Sequence, residues 1–335
     1  MDSLTQAVLG GTVTYAILGK RLGRRAALYG AVLGTVPDLD VFIDFGGPIE
    51  NMTYHRGFSH SFLVQAFIAP LIAWFTVRPA TLKDAYFFRV CLAVFLCFAT
   101  HSLADLFTVY GTQVLWPFTS YPFSHSILFI VDPTYTLPLL IGFISALVFK
   151  NSARLLSLNA WMLCISSLYL VWSTTAKVLI DETVQEALQN RGINAEIYES
   201  TPAPLNTLLW RAVAIDGDNY YEIWASLFDE ENEIQIQRYP RNLGLIEGVA
   251  THPSVERLKW FTKGQYKAFE SGNYIYISDL RMGIEGAYVF NFEIAKRDTA
   301  DLVLGSFEQL QVRPDFDRLS RVWQRIWDPT VLVVD

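Results

Sequence analysis

Two apolar segments of this chain are each long enough to cross a lipid bilayer, and they limit its possible folds more than any other feature. They run from Ala85 to Phe107 and from Leu155 to Thr175, and a membrane helix needs about 20 residues. A third apolar segment, residues 126–149, contains Asp132 and two prolines. Because proline frees backbone groups that only neighbouring helices or water can satisfy, this segment predicts a kinked span.

Three further apolar segments are shorter: residues 4–19, 26–36 and 62–77. Glycine and alanine crowd the first two, which favours close packing between helices. Only 18% of the residues are charged, against about 25% in soluble domains. We therefore predict a multi-pass α-helical membrane domain with four to six membrane helices over residues 1–178.

Basic residues predict the orientation of this domain. They fall mostly in three clusters: Lys20, Arg21, Arg24 and Arg25; Arg78, Lys83 and Arg89; and Lys150 and Arg154. If six segments cross, the clusters lie in alternate loops, and the positive-inside rule assigns all three to the cytoplasm. Residues 37–60, residues 108–125 and everything after Lys177 then face the opposite side, which is the periplasm in a bacterium. The sequence thus predicts a multi-pass protein of the inner membrane.

The second half of the chain has a different charge and a different periodicity. Residues 1–180 carry 11 basic and 8 acidic side chains, a net charge of +3, and residues 181–335 carry 15 and 25, a net charge of −10. Nucleic-acid binding requires a concentrated positive face, so we expect none. Residues 179–335 predict a soluble α+β domain whose protein partner the sequence does not reveal.

An antiparallel sheet is expected in this domain because Asp216-Gly217-Asp218-Asn219 is typical of a hairpin turn. After an exit helix over residues 177–190, we predict strands at 211–215, 220–226, 234–239, 274–278 and 287–294, and helices at 254–261 and 316–327. Asp279, Arg281 and Glu285 lie at strand ends, where solvated charges are ordinary. We therefore interpret them as surface groups rather than as a second site.

Four of the five histidines lie within the first 125 residues, although this region is mainly apolar. The predicted topology brings all four to one end of the bundle, together with three aspartates. His101 and Asp105 are four residues apart, which places both side chains on one helical face. This spacing suits two metal ligands, and an ion pair that closes a helix end is the alternative.

Two loop motifs lie at the same end. Asp38 and Asp40 follow Pro37 in a segment predicted to be extended, so both carboxylates point the same way and favour a shared cation; a solvated loop is the alternative.

In His55-Arg56-Gly57-Phe58-Ser59-His60-Ser61, the glycine predicts a tight turn and Ser59 a cap for a helix that begins at His60. Residues 123–126 repeat part of this motif at a second predicted helix start.

Ionisable groups beside membrane helices are costly and usually functional, so together these motifs predict a metal site. The expected ligands are Asp38, Asp40, His55, His60, His101 and Asp105, with His125 as a further ligand or a general acid or base. Carboxylates combined with imidazoles suit zinc, manganese or iron.

Four motifs, in order, resemble those of the YdjM-like inner-membrane proteins. They are Met1 to Gln6 (MDSLTQ), Pro37 to Asp40 (PDLD), His55 to Ser61 (HRGFSHS) and His101 to Asp105 (HSLAD). The resemblance covers about 180 residues, and Gln6 stands where the family often has histidine. It implies a membrane-bound metal-dependent hydrolase, distantly similar to the helical zinc-dependent phospholipase C and S1/P1 nucleases.

The resemblance favours hydrolysis of a phosphoester or lipid-linked substrate at the outer membrane–water interface. Arg56 lies between two predicted ligands and is our candidate for binding a substrate phosphate; contact with lipid headgroups is the alternative. A non-enzymatic role, as a metal-binding membrane scaffold, a transporter or a partner-binding protein, is the alternative function. A transporter requires ionisable residues near the bilayer midplane, and Asp132 is the residue that suits this requirement.

Overall fold

The computed structural model describes residues 1–77, 85–150, 152–298, 301–310 and 316–334. Arg78 and Lys83, which belong to one of the predicted basic clusters, lie outside this range. The chain divides into two compact units: residues 1–43 with 55–174, and residues 44–54 with 175–335. The helix that contains the predicted domain boundary at residue 178 continues without a break to Asn190.

The first unit is helical. Its helices are α1 (Ser3–Leu22), α2 (Arg24–Leu33), α4 (Phe62–Thr76), α5 (Ala85–Leu106), α6 (Pro133–Val148) and the first part of α7 (Ala153–Asn190), and helix α3 (Pro48–Tyr54) belongs to the second unit. Within the described residues, α5 and α7 are long and apolar enough to cross a membrane. A third span is present if residues 48–60 and α4, which meet at a bend of 57°, count as one. The expected total of four to six spans stays a prediction.

Helix α6 begins at Pro133 rather than near residue 126. Asp132 caps it by accepting hydrogen bonds from the backbone nitrogens of Thr134 (2.9 Å) and Tyr135 (3.2 Å), and proline is favoured at the first helical position because it needs no hydrogen-bond acceptor there. The predicted helix start at residues 123–126 is wrong: Phe123 pairs with Thr112 in an isolated antiparallel bridge.

Glycines set the distance between α1 and α2. A Cβ atom at Gly30 would lie 2.2 Å from the carbonyl oxygen of Gly10, and one at Gly10 would lie 2.4 Å from the carbonyl oxygen of Gly30. The two backbones therefore touch, as the small residues of these segments led us to expect. This contact matters for the predicted metal site because Gly34, directly after α2, forms a hydrogen bond with His101 through its carbonyl oxygen.

The second unit contains two antiparallel sheets rather than the single predicted one. The strands of the first are β1 (Ile197–Pro202), β2 (Leu209–Asp216), β3 (Asn219–Ser226) and β4 (Gln235–Pro240); those of the second are β5 (Tyr266–Ser271), β6 (Tyr274–Asp279), β7 (Asn291–Asp298) and β8 (Asp301–Leu304). The predicted hairpin joins β2 to β3, with Asp216 opposite Asn219. Helix α8 (Pro253–Phe261) lies between the two sheets in sequence, and α9 (Phe316–Arg325) follows the second sheet.

Two of the three charged residues at the strand ends, Asp279 and Arg281, are buried, contrary to our interpretation of them as surface groups, whereas Glu285 is partly exposed and pairs with Lys267. Arg281 and Asp279 are each 2% exposed and form an ion pair with a nitrogen–oxygen distance of 2.6 Å. Arg211 pairs in the same way with the buried Glu222 at 3.0 Å. Because an unpaired buried charge is costly, these internal pairs explain how a strongly acidic domain accommodates charge in its core.

Helix α3 packs into the second unit although it lies early in the sequence. Its Ile49 is fully buried. Arg257 of α8 places its guanidinium carbon 3.7 Å above the ring of Tyr54 and donates a hydrogen bond to Thr53 Oγ1. The short segment between two of the predicted metal motifs thus folds with the C-terminal residues.

Candidate metal centre

Four side chains converge on one point in the helical unit: those of Asp38, His60, His101 and Asp105. The Nε2 atom of His60 lies 3.1 Å from Nε2 of His101 and 3.1 Å from Oδ2 of Asp105. Oδ1 of Asp38 lies 3.4 Å from each of the two Nε2 atoms. All four donor atoms lie within 4.8 Å of one another.

Three elements supply these residues. His101 and Asp105 lie one turn apart near the end of α5, as their spacing predicts. His60 ends a short 3-10 turn, Phe58–His60, and Asp38 lies in another, Pro37–Phe42. The helix after the His60 motif begins at Phe62 and is capped by Ser61, so Ser59 is free for a different role.

The orientation of His101 is fixed from the side away from the centre. Its Nδ1 atom lies 2.7 Å from the carbonyl oxygen of Gly34. Because a carbonyl only accepts hydrogen bonds, Nδ1 carries the proton. Nε2 of His101 is therefore the nitrogen available to a cation at the centre.

The orientation of His60 is fixed by Ser59. The hydroxyl of Ser59 donates to Oδ2 of Asp40 at 2.6 Å and lies 2.9 Å from Nδ1 of His60. Since its single proton is used on Asp40, the hydroxyl accepts from Nδ1 of His60. Nε2 of His60 likewise faces the centre.

Asp105 is held through its other oxygen. Oδ1 accepts a hydrogen bond from Nε2 of Gln6 at 3.1 Å and forms an ion pair with the guanidinium of Arg56, also at 3.1 Å, and it contacts the amino group of Met1. These donors leave Oδ2 directed at the two histidines. Gln6, which departs from the family pattern, thus orients a predicted ligand instead of serving as one in this arrangement.

The geometry of the four donor atoms fits a transition-metal ion. With metal–ligand distances of about 2.0–2.1 Å, the edges of a tetrahedral site are about 3.3–3.4 Å, and five separations here are 3.1 to 3.4 Å. Oδ1 of Asp38 is buried and has no hydrogen-bond partner, which a cation would supply. Two carboxylates and two imidazoles form a donor set typical of zinc, manganese or iron sites.

Asp40 and His55 lie behind this cluster rather than in it. Asp40 accepts hydrogen bonds from Nδ1 of His55 at 2.7 Å, from the backbone nitrogen of Arg56 at 3.0 Å and from Ser59. Burial alone would raise the pKa of Asp40, but the hydrogen bond from His55 and the nearby ring of His60 outweigh it and hold the pKa well below its usual range. The two aspartates diverge because their segment is a 3-10 turn, not the extended chain predicted.

Arg56 and His125 occupy different surroundings. The guanidinium of Arg56 is buried and donates to Oγ1 of Thr108 at 3.1 Å in addition to its pair with Asp105. His125 is exposed, its backbone nitrogen donates to Leu106, and its ring lies 6.4 Å from that of Phe107. It is not a member of the cluster, and its role as a ligand or acid/base stays a prediction.

Sequence reasoning missed Gln65 and Gly34, and it assigned Ser59 to a helix cap instead of to the support of His60. Nε2 of Gln65 donates to the carbonyl of Ser59 at 3.0 Å and to Oγ of Ser102 at 2.7 Å. Gln65 is a buried polar residue at the start of an otherwise apolar helix, and that anomaly was the available signal. No sequence pattern indicates the backbone carbonyl of Gly34.

Substituting Ser59 tests the hydrogen-bond chain from Asp40 to His60. We expect Ser59→Ala to weaken metal binding by about 10–100-fold, the effect typical of residues that orient a ligand. Ser59→Thr keeps the hydroxyl and is expected to keep most of the affinity. Titration of the metal-free proteins with zinc in a competing chelator measures both constants, and wild-type affinity in Ser59→Ala would contradict this assignment.

Residues 1–180 match the family described as YdjM inner membrane protein. The chain belongs to this family. The match confirms the resemblance seen in the four motifs. Membership in an inner membrane family agrees with helices long enough to cross a bilayer.

The chain also matches an individual relative, the uncharacterized protein YfhP of Bacillus subtilis (strain 168). The two are 29% identical over 130 residues, which cover 36% of this chain and 38% of YfhP. The aligned region is thus less than two fifths of the length of that relative. No solved structure matches the chain.

Proposed function

We propose that this chain is a membrane-bound metal-dependent hydrolase. The observation that carries the proposal is the convergence of two imidazole nitrogens and two carboxylate oxygens at a buried point with one accessible side. Three of the four side chains are at most 1% exposed, whereas that of Asp38 is 24% exposed. A substrate would therefore approach from the side of Asp38.

Asp38, His60, His101 and Asp105 would hold the metal ion, with zinc as the first candidate. When bound, such an ion lowers the pKa of a water molecule and polarises the oxygen of a phosphoryl or acyl group. Asp105 is anchored by Gln6 and Arg56, so the protein keeps this carboxylate in place before any substrate arrives. Preorganisation of this kind lowers the reorganisation needed during the reaction.

The pair formed by His55 and Asp40 is suited to proton transfer. Nδ1 of His55 donates to Asp40, the side chain is 20% exposed, and its ring centroid lies 6.2 Å from that of His60. In hydrolysis, water adds to the phosphorus, the ester oxygen–phosphorus bond breaks, and the departing oxygen takes up a proton. A histidine oriented by a carboxylate can accept the proton that the attacking water loses and deliver a proton to the departing oxygen.

The surface beside Asp38 supports a lipid or lipid-linked phosphoester as the substrate. Leu39, Val41 and Phe42 follow it in the same 3-10 turn with exposed side chains, and Phe42 is 83% exposed. Apolar side chains in this position favour contact with acyl chains over contact with water. The accessible side of the site is therefore matched to a molecule that has both a polar and an apolar part.

The proposed orientation places the centre at the periplasmic face, with four to six membrane crossings. It is supported by basic residues at the junction of α1 and α2: Lys20 and Arg21 in the last turn of α1, and Arg24 and Arg25 at the start of α2. The positive-inside rule assigns such residues to the cytoplasm.

The test is hydrolysis of p-nitrophenyl phosphate, bis-p-nitrophenyl phosphate and lipid phosphates by protein in nanodiscs. We expect activity in the metal-loaded wild type, loss by about 100-fold or more in Asp38→Asn and His55→Gln, and retention in His252→Asn. His252 caps α8 in the second unit, and asparagine preserves a helix cap. Metal content measured on the same samples separates loss of binding from loss of chemistry.

A metal-stabilised scaffold is the second candidate, because four protein ligands fill a tetrahedral site as in structural zinc centres. If the protein is a scaffold, removal of the metal by a chelator lowers the unfolding temperature. None of the phosphate substrates named above is then hydrolysed, even when metal is bound. That result would overturn the hydrolase proposal. The transporter alternative loses its main support, since Asp132 caps α6 and also accepts from the Tyr169 hydroxyl at 2.9 Å.

A further inference from the structure

The helical unit has a cavity at the end opposite the metal centre. Helix α1 starts beside the centre, where Gln6 contacts Asp105, and runs for 20 residues, or about 30 Å. Helix α6 runs alongside it, since Thr136 in its first turn lies 2.7 Å from Thr5 through the two hydroxyl oxygens. Their far ends border an open cavity of about 320 Å³. Its distance from the centre approaches the thickness of the hydrocarbon core of a bilayer.

Three cations line this cavity: Arg24 and Arg25, which begin α2, and Lys150, which follows α6. No carboxylate is among the lining residues, and the first turn of α2 has neither an acidic residue nor a side-chain cap. None of the three cations forms an ion pair within the described part of the chain. Like charges that share a cavity repel one another unless an anion joins them.

The neighbouring Arg21 behaves differently and marks the limit of the site. Its guanidinium carbon lies 3.7 Å above the ring of Tyr86, the second residue of α5. This cation therefore has a stabilising partner inside the protein. Among the described residues, Arg24, Arg25 and Lys150 have no comparable aromatic or acidic partner, so their charge is available to a ligand.

The remaining wall of the cavity is apolar and continues onto the outer surface. Leu22 and Leu147 line it, and Val148 and Phe149 extend outward with 69% and 62% of their surfaces exposed. A soluble phosphate would contact the cations but would leave this apolar surface uncovered. A molecule with an anionic head and an acyl chain covers both parts at once.

We propose that this cavity binds an anionic phospholipid, with the headgroup phosphate against Arg24, Arg25 and Lys150 and an acyl chain along Val148 and Phe149. Basic pockets between membrane helices suit such headgroups on the side of the membrane where basic loops reside. The inference does not depend on hydrolase activity, because the cavity and the metal centre lie at opposite ends of α1. It assigns to the far end of the bundle a structural lipid rather than a substrate.

The experiment compares lipid retention by native mass spectrometry of the detergent-purified, full-length protein at constant ionic strength. The probes are phosphatidylglycerol and phosphatidylcholine with identical acyl chains, with inorganic phosphate as a competing soluble anion. We expect the wild type to prefer phosphatidylglycerol. Each basic residue near the headgroup contributes about a fivefold effect, so Arg24→Gln/Arg25→Gln is expected to lose about 25-fold of this preference and Lys150→Gln about fivefold.

Arg154→Gln is the matched control because Arg154 is an exposed basic residue near the start of α7 that does not line the cavity. It should keep the wild-type preference, and unchanged metal content in every variant shows that the helical unit is folded. Equal loss in Arg154→Gln would show diffuse surface attraction and overturn the proposal. Absence of preference in the wild type, or its abolition by inorganic phosphate, would overturn it as well.

Discussion

Replacing His101 with alanine is expected to abolish metal binding at the centre. Its Nε2 atom lies 3.1 Å from that of His60 and 3.4 Å from a carboxylate oxygen of both Asp38 and Asp105, so its removal takes away a donor that no neighbour can replace. Loss of an orienting residue alone costs about 10–100-fold in affinity, and loss of the ligand itself should exceed about 100-fold. Metal analysis of the detergent-purified protein after reconstitution with zinc, read per chain, measures the effect.

His125→Ala is the control that makes this experiment decisive. His125 was predicted from the sequence as a further ligand or as a general acid or base, but it lies outside the cluster, with its ring near Phe107. The structure therefore predicts wild-type metal content in His125→Ala and loss in both His101→Ala and His60→Ala. Equal loss in all three variants would require a larger site than the four converging side chains, and retention in His101→Ala would exclude this cluster as the metal site.

Replacing Gly30 with valine is expected to destabilise the helical unit strongly. A Cβ atom at this position would lie 2.2 Å from the carbonyl oxygen of Gly10 and 2.5 Å from the Thr14 hydroxyl oxygen, and backbone atoms cannot yield as a flexible side chain can. Overpacking in a core costs about 1–3 kcal/mol or more, and a clash with a backbone atom of α1 belongs at the upper end. Yield of monodisperse protein and its unfolding temperature in one detergent measure the outcome.

Val32→Leu serves as the matched control on the same helix. Val32 is 68% exposed, so a larger apolar side chain there has room and should leave the unfolding temperature within about 2 °C of wild type. The Gly30 substitution should also lower metal affinity, because Gly34 at the end of α2 holds Nδ1 of His101. A well-folded Gly30→Val protein with wild-type metal affinity would contradict the close approach of α1 and α2.

The residues of the centre were predictable where local geometry decides their positions. His101 and Asp105 lie in one long apolar helix, so helical periodicity alone puts them on one face. The His60 motif and the aspartates after Pro37 were predictable as members of the site but not in their roles. Whether Asp38 or Asp40 faces the centre depends on the 3-10 conformation of six residues, and local sequence does not distinguish this turn from an extended chain.

The C-terminal unit shows the same division between local and distant information. The turn residues Asp216-Gly217-Asp218-Asn219 predicted the β2–β3 hairpin because they tolerate a positive φ. Gly217 has such an angle, with φ at 57°. The number of sheets was not predictable, since it depends on which strands find each other after the 25 residues between β4 and β5. Burial of Asp279 with Arg281 depends on packing in the same way. Two opposite charges two residues apart have the same sequence pattern whether the pair is buried or lies in a solvated loop.

The placement of α3 has a consequence for how this protein can be divided or recombined. Residues 44–54 fold with the C-terminal residues, and they are also the covalent link between the Asp38–Asp40 turn and the His55–His60 motif. A fragment that ends after the membrane part of α7 would expose Ile49 and leave Tyr54 without the guanidinium of Arg257. Chimaeras between members of the family must therefore exchange residues 44–54 together with the C-terminal part, since a single crossover point separates segments that fold as one.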